Sequence, residues 1–257
     1  MKAMIFAAGL GTRLKPLTDT MPKALVPLAG KPLLQWQVEK LRDAGITDII
    51  VNVHHFPDQI IEAVRANDGW GCNITVSDER DQLLDTGGGL KKAISNLQSP
   101  ISNSPILACN VDILSNIDLR AFLGSYDPRT LGSLVVSDRP TQRYLCFDAS
   151  NRLCGWTNIA TGEVKGRDGR HLAFSGMQIL SPEALTLLQQ YPAAKFSLID
   201  FYLSLCEKQM SNDHTASADR KKCQMTNLQA YIPDAYKMMD VGKIDQIAEA
   251  ERFAESL

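Results

Sequence analysis

The first residues that could do chemistry form a glycine-rich loop directly after an apolar segment. The segment 3–7 is predicted to be a strand, and Ala8-Gly9-Leu10-Gly11-Thr12-Arg13 follows it. Two glycines let a backbone approach an anion closely, so that its N–H groups point at phosphate oxygens. Arg13 and, ten residues later, Lys23 add positive charge. This combination predicts a polyphosphate site.

The loop differs from two common phosphate-binding motifs. The dinucleotide motif Gly-x-Gly-x-x-Gly requires a third glycine where this chain has Leu14, and no Gly-Lys-Ser/Thr follows to make a P-loop. A Rossmann oxidoreductase is therefore disfavoured. Glycine-rich turns after a first strand are common in α/β proteins, so a turn without a ligand is the alternative for these residues taken alone.

Two aspartates that are far apart in the sequence are candidates for a metal site. Asp112 follows an apolar strand, where a carboxylate either caps a turn or binds a ligand. Asp240 lies within the apolar tract 238–242, and aspartate is rarely buried without a partner. Magnesium is typically held by one or two carboxylates together with phosphate oxygens and water. The pair therefore predicts Mg²⁺ as a cofactor beside the phosphate loop.

The elements that must position these residues alternate between strand and helix in the first half of the chain. Apolar runs predict strands at 49–53, 73–77 and 105–109, and helical spacing predicts helices at 32–44, from 57 and at 90–94. Such alternation predicts a mostly parallel sheet, in which ligands bind at the carboxyl ends of the strands. The glycine loop, a turn at Gly87 and Asp112 are all expected at such ends, around one crevice.

The second half of the chain predicts an antiparallel or mixed arrangement. Strands are predicted at 131–137, 144–148, 153–157, 172–180 and 230–232, and helices at 182–190, 197–208 and from 244 onwards. The segment 211–224 is polar and has no periodicity, which predicts a mobile surface loop.

Composition excludes several classes of protein. The chain has 257 residues, 44% of them apolar, which is ordinary for a globular protein with a sizeable core. A net charge of −2 without a basic stripe gives no support for a nucleic-acid or membrane partner. The six cysteines are scattered, and no signal peptide or membrane span is recognisable. We therefore expect a cytoplasmic protein with reduced thiols.

Taken together, the motifs resemble those of the sugar-1-phosphate nucleotidylyltransferases, also called nucleotide-sugar pyrophosphorylases. The similarity covers the tracts 9–18, 22–27, 30–33, 85–89, 110–112, 174–177 and 240–242. It implies a Rossmann-like three-layer α/β/α sandwich with a mixed, mostly parallel central sheet. It also implies a single nucleotidyltransferase domain, 1–257, with a nucleotide-binding half (1–115) and a sugar-binding half (116–257).

Matched position by position, the resemblance implies roles for individual residues. Arg13, Lys23 and Asp112 would be catalytic, Asp112 and Asp240 would hold Mg²⁺, and Asn110 and Gly176 would border the sugar. The nucleotide would be bound by Ala8, Gly9, Gly11, Thr12, Arg13, Lys23, Gln82, Gly87 and Gly88.

The implied reaction is an in-line attack of a sugar phosphate on the α-phosphorus of a nucleoside triphosphate, with pyrophosphate as the leaving group. The enzyme must bring two polyanions together and stabilise charge on the leaving group. Because the attacking phosphate is already ionised near neutral pH, no general base is required. We therefore assign no catalytic role to His54, His55, His171 or His214.

Within the family, the run 86–89 and the short length favour the bacterial N-acetylmuramate-1-phosphate uridylyltransferases. UTP and N-acetylmuramate 1-phosphate, or another hexosamine 1-phosphate, are therefore the expected substrates. Mannose-1-phosphate guanylyltransferases and glucose-1-phosphate thymidylyl- or uridylyltransferases are the alternatives. Val111, Met238, Met239 and Lys243 depart from the family pattern in ways that bear on substrate fit. A sugar-nucleotide sensor without catalytic activity is the alternative from another functional class. We expect a monomer or a small homo-oligomer.

Overall fold

The structure is a computed structural model that describes residues 1–96, 104–213 and 227–257. Its strands are β1 (Lys2–Phe6), β2 (Pro27–Leu28), β3 (Lys31–Pro32), β4 (Asp48–Val53), β5 (Asn73–Asp78), β6 (Ile106–Asn110), β7 (Ile113–Ser115), β8 (Gly132–Ser137), β9 (Arg143–Phe147), β10 (Leu153–Asn158), β11 (Glu163–Gly166), β12 (Arg170–Leu180), β13 (Leu228–Tyr231) and β14 (Met238–Asp240). Its helices are α1 (Leu33–Asp43), α2 (Pro57–Ala66), α3 (Asp85–Ser95), α4 (Leu119–Ser125), α5 (Pro182–Gln189), α6 (Leu198–Asp213) and α7 (Ile247–Glu255).

The central sheet has a parallel part and an antiparallel part. In the order β5-β4-β1-β6 the strands are parallel, and β12 then pairs antiparallel with β6. Two groups of strands extend from β12: β8 with β13, and β9 with β10 and β11. The first parallel strand in chain order, β1, lies next to the fourth, β6. The strand order therefore reverses between them, and ligands bind at such points in open α/β sheets.

Strand β1 shows why the sheet lies between two helical layers. Successive side chains of a strand point to opposite faces, and in β1 both sets are apolar. Ala3 and Ile5 belong to the core that α1, α2, α4 and α7 cover, and Met4 and Phe6 to the core under α3, α5 and α6. The predicted three-layer fold with a mixed central sheet is thereby confirmed. Among the described strands of this sheet, four neighbouring pairs are parallel and five are antiparallel, so the sheet is less parallel than expected.

The glycine run 87–89 lies inside α3, whereas the sequence predicts a turn before a helix. A Cβ atom at Gly87 would lie 2.4 Å from the ring of Phe196, and one at Gly88 would lie 2.3 Å from the carbonyl oxygen of Ala194. The amides of Gly87 and Gly88 donate to the Phe196 carbonyl at 2.9 and 3.2 Å. Close packing and these bonds outweigh the poor helix propensity of glycine, about 1 kcal/mol per residue relative to alanine.

Helix α6 begins close to the predicted position and continues to Asp213. It therefore includes the first three residues of the segment 211–224, for which a loop is predicted, and 214–224 lies outside the described residues. Within the described ranges, no helix is long and apolar enough to cross a membrane.

Candidate active site

The glycine loop leaves the carboxyl end of β1 and turns at Gly11. Gly11 has φ +64°, a conformation that favours glycine, and a Cβ atom there would lie 2.7 Å from Cγ2 of Thr18. The Thr18 hydroxyl donates to the Gly11 carbonyl at 2.8 Å. The next residues, Thr12–Leu14, form a single 3₁₀ turn that exposes Thr12 and Arg13. The packing of the loop itself therefore requires a glycine at position 11.

Gly9 has a different environment. A Cβ atom there would meet no atom of the described residues within 4 Å, and the backbone is not left-handed. The packing of the described residues therefore does not explain this glycine. The open space beside it lets another molecule come close to the backbone, as the predicted phosphate contact requires.

Lys23 joins the N-terminal loop region to the end of β6. Its side chain is only 9% exposed, and its Nζ forms an ion pair and a hydrogen bond with Oδ2 of Asp112, whose side chain is 21% exposed. A buried ammonium group is costly without a partner, so the Asp112 carboxylate stabilises Lys23 in this position. The structure thus brings two of the predicted catalytic residues into direct contact.

Asp240 is brought beside Asp112 by a two-stranded ladder. Strand β14 pairs antiparallel with β7, with Asp240 opposite Ile113, and the Val241 amide donates to the Asp112 carbonyl at 2.8 Å. Nη2 of Arg13 lies 3.8 Å from Oδ2 of Asp240. The predicted acids, which are far apart in the sequence, are therefore neighbours, with one cation beside each.

Gly242 allows the close contact of Arg13 and Asp240. A Cβ atom at this position would lie 2.7 Å from Nη2 of Arg13 and 2.8 Å from Oδ1 of Asp240. The sequence analysis includes Gly242 in a motif but assigns it no role. Its place two residues after the acid in the sequence is a signal that could have identified it.

Electrostatics distinguish Asp240 from an ordinary surface acid. Burial raises the pKa of its carboxyl group although the side chain remains 48% exposed, because the surrounding protein still displaces water. The charge of Asp112 raises the pKa further, and Lys23, Arg13 and Arg139 act in the opposite direction. Two like charges are thus held together among three cations.

Two side chains of α1 hold the ladder in place. Gln37, which is 1% exposed, donates from Nε2 to the Ile113 carbonyl at 2.6 Å. Lys40 donates from Nζ to the carbonyl of Ser115, and its Nζ lies 3.2 Å from the Ser115 hydroxyl. Burial lowers the pKa of Lys40 to about 8. The sequence analysis missed both residues, although a glutamine within the apolar stripe of α1 was a visible signal.

A buried polar network supports the start of the glycine loop. The Ala7 amide donates to Oδ1 of Asn52, and Nδ2 of Asn52 donates to Oε1 of Glu79, both at 2.8 Å. The other carboxylate oxygen of Glu79 accepts from the Leu84 amide at 3.1 Å. Glu79 is fully buried, and burial raises its pKa. The network connects the end of β1 to the segment before α3, and the sequence analysis missed it.

The residues predicted near the base follow this network in the chain. Gln82 is exposed in the segment between Glu79 and α3. Gly87 and Gly88 are buried, and their amides already bind Phe196. A nucleotide would therefore meet this segment through other atoms than those two amides. Nucleotide binding by Gln82, Gly87 and Gly88 stays a prediction.

The residues predicted at the sugar are in contact. Strand β12 has an irregular register with β8 between Phe174 and Gln178, and Gly176 has φ +68° within it. A Cβ atom at Gly176 would lie 2.8 Å from Nδ2 of Asn110. Asn110 ends β6, so this contact connects the proposed sugar side to the acid pair.

The three described histidines bind groups other than the acid pair. His54 contacts the Glu79 carbonyl at 2.7 Å, and His55 contacts the Thr18 carbonyl at 3.1 Å. His171 pairs with Asp168 at 2.6 Å, and with Cys146 these two make the only group of three possible metal ligands among the described His, Cys, Asp and Glu residues. His214 lies outside the described residues.

Known proteins share both the sequence and the fold. Residues 2–144 match the model of the nucleotidyl transferase family. The N-acetylmuramate alpha-1-phosphate uridylyltransferase of Caulobacter vibrioides is 32% identical over 212 residues, covering 79% of this chain and 83% of the relative. A mannose-1-phosphate guanyltransferase of Saccharomyces cerevisiae is 40% identical over 206 residues, covering 76% and 54%.

A solved structure extends the similarity to nearly the whole length of both chains. The crystal structure of UDP-glucose pyrophosphorylase bound to UDP-glucose aligns with a TM-score of 0.73 at 16% identity and covers 100% of this chain and 99% of that one. At that identity the match shows the fold alone. The family model and the sequence relatives show more: the chain belongs to the nucleotidyl transferase family, among its sugar-1-phosphate nucleotidyltransferases.

Proposed function

We propose that the protein makes a UDP-sugar and pyrophosphate from UTP and N-acetylmuramate 1-phosphate. The observation that carries the reaction is the β7–β14 ladder, which brings Asp112 and Asp240 together next to Lys23 and Arg13. The site lies after β1 and β6, where the strand order reverses.

In this proposal the phosphates of UTP bind the glycine loop. The amides of residues 8–12 would donate to phosphate oxygens, and the open space beside Gly9 would admit them. Arg13 is 59% exposed and forms only a long ion pair with Asp240, so its guanidinium has donors left for a phosphate. Lys23 would place its positive charge where pyrophosphate develops negative charge.

The acid pair fits a divalent cation. Asp112 and Asp240 offer hard carboxylate oxygens, and one oxygen of Asp112 is occupied by Lys23. The mutual repulsion that helps to raise the pKa of Asp240 is a cost that a cation between the two acids would remove. We infer that these residues hold Mg²⁺. Lewis-acid stabilisation of phosphate charge is the chemistry that the bound ion supplies at such a site.

The remaining residues orient the reactants. Asn110 and Gly176 would border the sugar, so that its 1-phosphate faces the α-phosphorus in line. The attacking phosphate is already ionised, and we assign no side chain as a general base. In this proposal residues 1–115 bind the nucleotide and 116–257 bind the sugar. Asp240 is the exception, because it belongs to the second half but acts on the phosphates.

Two observations bear on the choice of substrates. The uridylyltransferase of Caulobacter vibrioides is matched over 83% of its length, and the guanyltransferase of Saccharomyces cerevisiae over 54% of its length. The fuller match supports UTP and N-acetylmuramate 1-phosphate. GTP with mannose 1-phosphate is the second candidate, because the identity to that relative is higher, 40% against 32%.

The experiment that tests this function measures pyrophosphate release with Mg²⁺. Each of the four common nucleoside triphosphates is combined with N-acetylmuramate, N-acetylglucosamine, mannose and glucose 1-phosphates. We expect the highest kcat/KM with UTP and N-acetylmuramate 1-phosphate. Preference for GTP and mannose 1-phosphate would establish the second candidate instead. Nucleotide binding by calorimetry without pyrophosphate from any pair would indicate a sensor and contradict the proposed reaction.

A further inference from the structure

Arg139 lies on the sugar side of the acid pair. It follows β8, and its Nη2 donates to the Phe174 carbonyl at 2.9 Å. Phe174 precedes the irregular part of β12, in which Gly176 contacts Asn110. The charge of Arg139 also acts on the carboxyl group of Asp240. Arg139 is thus close to the acid pair but belongs to a different part of the sheet from Arg13 and Lys23.

Arg139 has no carboxylate partner among the described residues. Among the described residues no acidic oxygen lies within 4.0 Å of its guanidinium, and its Nε is buried without a hydrogen-bond partner. The neighbouring Asp138 pairs with Arg170 at 3.2 Å instead. Paired arginines elsewhere in the described ranges are Arg42, Arg80, Arg129 and Arg152.

An unpaired guanidinium beside a substrate site is a receptor for an anion. Its planar fork of N–H donors matches a carboxylate in two-point contact through the terminal nitrogens. The substrate phosphates already have candidate partners in the glycine loop, Arg13 and Lys23. The anion for Arg139 therefore belongs to another group of the sugar.

We propose that Arg139 binds a carboxylate of the sugar substrate and thereby selects an acidic sugar 1-phosphate. The inference rests on the proposed function and deepens it. N-acetylmuramate carries a lactyl ether that ends in a carboxylate, whereas N-acetylglucosamine is the same sugar without that group. Mannose and glucose 1-phosphates also lack a carboxylate. The guanidinium thus distinguishes the first candidate substrate from the alternatives.

The two hexosamine 1-phosphates form a matched pair for the experiment. Pyrophosphate release from UTP is measured with each sugar for the wild type and for Arg139→Met, Arg139→Lys and Arg170→Met. We expect Arg139→Met to lower kcat/KM for N-acetylmuramate 1-phosphate by about 10- to 100-fold, mainly through KM, because one charge-assisted contact is lost. The value for N-acetylglucosamine 1-phosphate should change little, which also shows that the variant is folded.

The control variants separate charge from structure. Arg139→Lys should recover part of the preference, since it keeps the charge but not the planar fork. Arg170→Met removes a nearby arginine that already has a partner, and the preference should remain. An unchanged preference in Arg139→Met would overturn the inference, as would a wild type that uses both sugars equally well. In either case the reaction itself would stand.

A wild type that releases no pyrophosphate with any sugar would contradict the proposed function, and binding then decides the inference. Calorimetry with UDP-N-acetylmuramate and UDP-N-acetylglucosamine compares the two sugars without turnover. We expect the wild type to bind the acidic sugar more tightly and Arg139→Met to lose that difference. Equal affinities in the wild type would overturn the role of Arg139.

Discussion

The proposed phosphate side and the proposed sugar side of this site are built in different ways. On the phosphate side, the glycine loop and the residue pairs around Asp112 and Asp240 are held by short contacts: Gly11 against Thr18, Lys23 on Asp112 and Gly242 under Arg13. On the sugar side, β12 is irregular at Gly176, and Arg139 has a cationic group without an acidic partner among the described residues. In the first region Lys23 and Arg13 each have an acidic partner, whereas in the second Arg139 has none among the described residues.

The difference predicts that reaction and selectivity are separable here. Changes on the phosphate side should lower activity with every sugar, because all substrates share the phosphates. Changes at Arg139 should affect only sugars that carry a carboxylate. Four predictions test the phosphate side of this comparison, from the largest expected effect to the smallest.

Replacing either acid should have the largest effect. We expect Asp240→Asn to lower kcat by about a hundredfold or more with every sugar, since stabilisation of phosphate charge is lost. Asp112→Asn should do the same and also lower the free energy of unfolding by about 3 kcal/mol, because Lys23 would be left buried without its partner. Pyrophosphate release and urea denaturation measure the two effects.

Asp245→Asn is the matched control for the acids. Asp245 is exposed in the 3₁₀ turn that follows Gly242, and its amide variant should behave like the wild type. Wild-type turnover in Asp240→Asn would contradict a role for this carboxylate in the reaction. If Asp240→Asn lost activity only with N-acetylmuramate 1-phosphate, the acid would act in sugar selection, and the proposed difference between the two sides would be wrong.

The two loop glycines should respond differently to alanine. Gly11→Ala places a methyl group in a left-handed conformation and against Thr18, so we expect the free energy of unfolding to fall by about 2 kcal/mol. Gly9→Ala has open space and should leave stability within about 0.5 kcal/mol, yet raise the KM for the nucleotide. Thermal unfolding and nucleotide titration measure the two responses. Wild-type nucleotide affinity in Gly9→Ala would mean that no ligand uses that space.

Removing the glutamine that holds the ladder should weaken both stability and catalysis. Gln37→Met leaves the Ile113 carbonyl without its donor, which should cost about 1 to 3 kcal/mol of unfolding free energy. Because β7 begins directly after Asp112 and β14 ends at Asp240, we also expect a higher Mg²⁺ concentration for half-maximal rate. Gln35→Met, whose amide binds Glu39 on the same helix, is the control and should change neither quantity. A loss of stability without a shift in Mg²⁺ dependence would assign Gln37 to the fold alone.

Lys40 should make stability depend on pH. Burial lowers its pKa to about 8 from the usual 10.5 of a lysine, so the unfolded chain binds the proton more tightly than the folded protein. The cost of burying the charge is fully present below pH 8 and fades as the pH rises towards 10.5. We therefore expect the wild type to gain about 2 kcal/mol relative to Lys40→Met between pH 7.5 and 9.5. Urea denaturation at pH 7.5 and 9.5 measures the difference in unfolding free energy between the wild type and Lys40→Met. If that difference is the same at both pH values, the pKa of Lys40 is not lowered to about 8.

Local patterns predicted the parallel half of the sheet and the position of the glycine loop directly after β1. Apolar strands followed by glycine turns are short-range features, and the carboxyl ends of parallel strands necessarily meet at one edge. The glycine run 87–89 was predicted wrongly as a turn, because its helix depends on the segment 194–196, about a hundred residues away. Glu79 and Gln37 were missed because a polar residue in an apolar pattern shows its role only through its partners.

The sequence by itself determined the residue types of the loop and of the two acids and the strand-helix alternation that sets the fold. Only the tertiary structure decided how the acids meet, because the register of β7 with β14 depends on the pairing of distant segments. It also decided which charges are paired. Coulomb energy depends on distance in space and on burial, so Arg80 and Arg139 look alike in the sequence, yet only Arg80 has an acidic partner in the described structure.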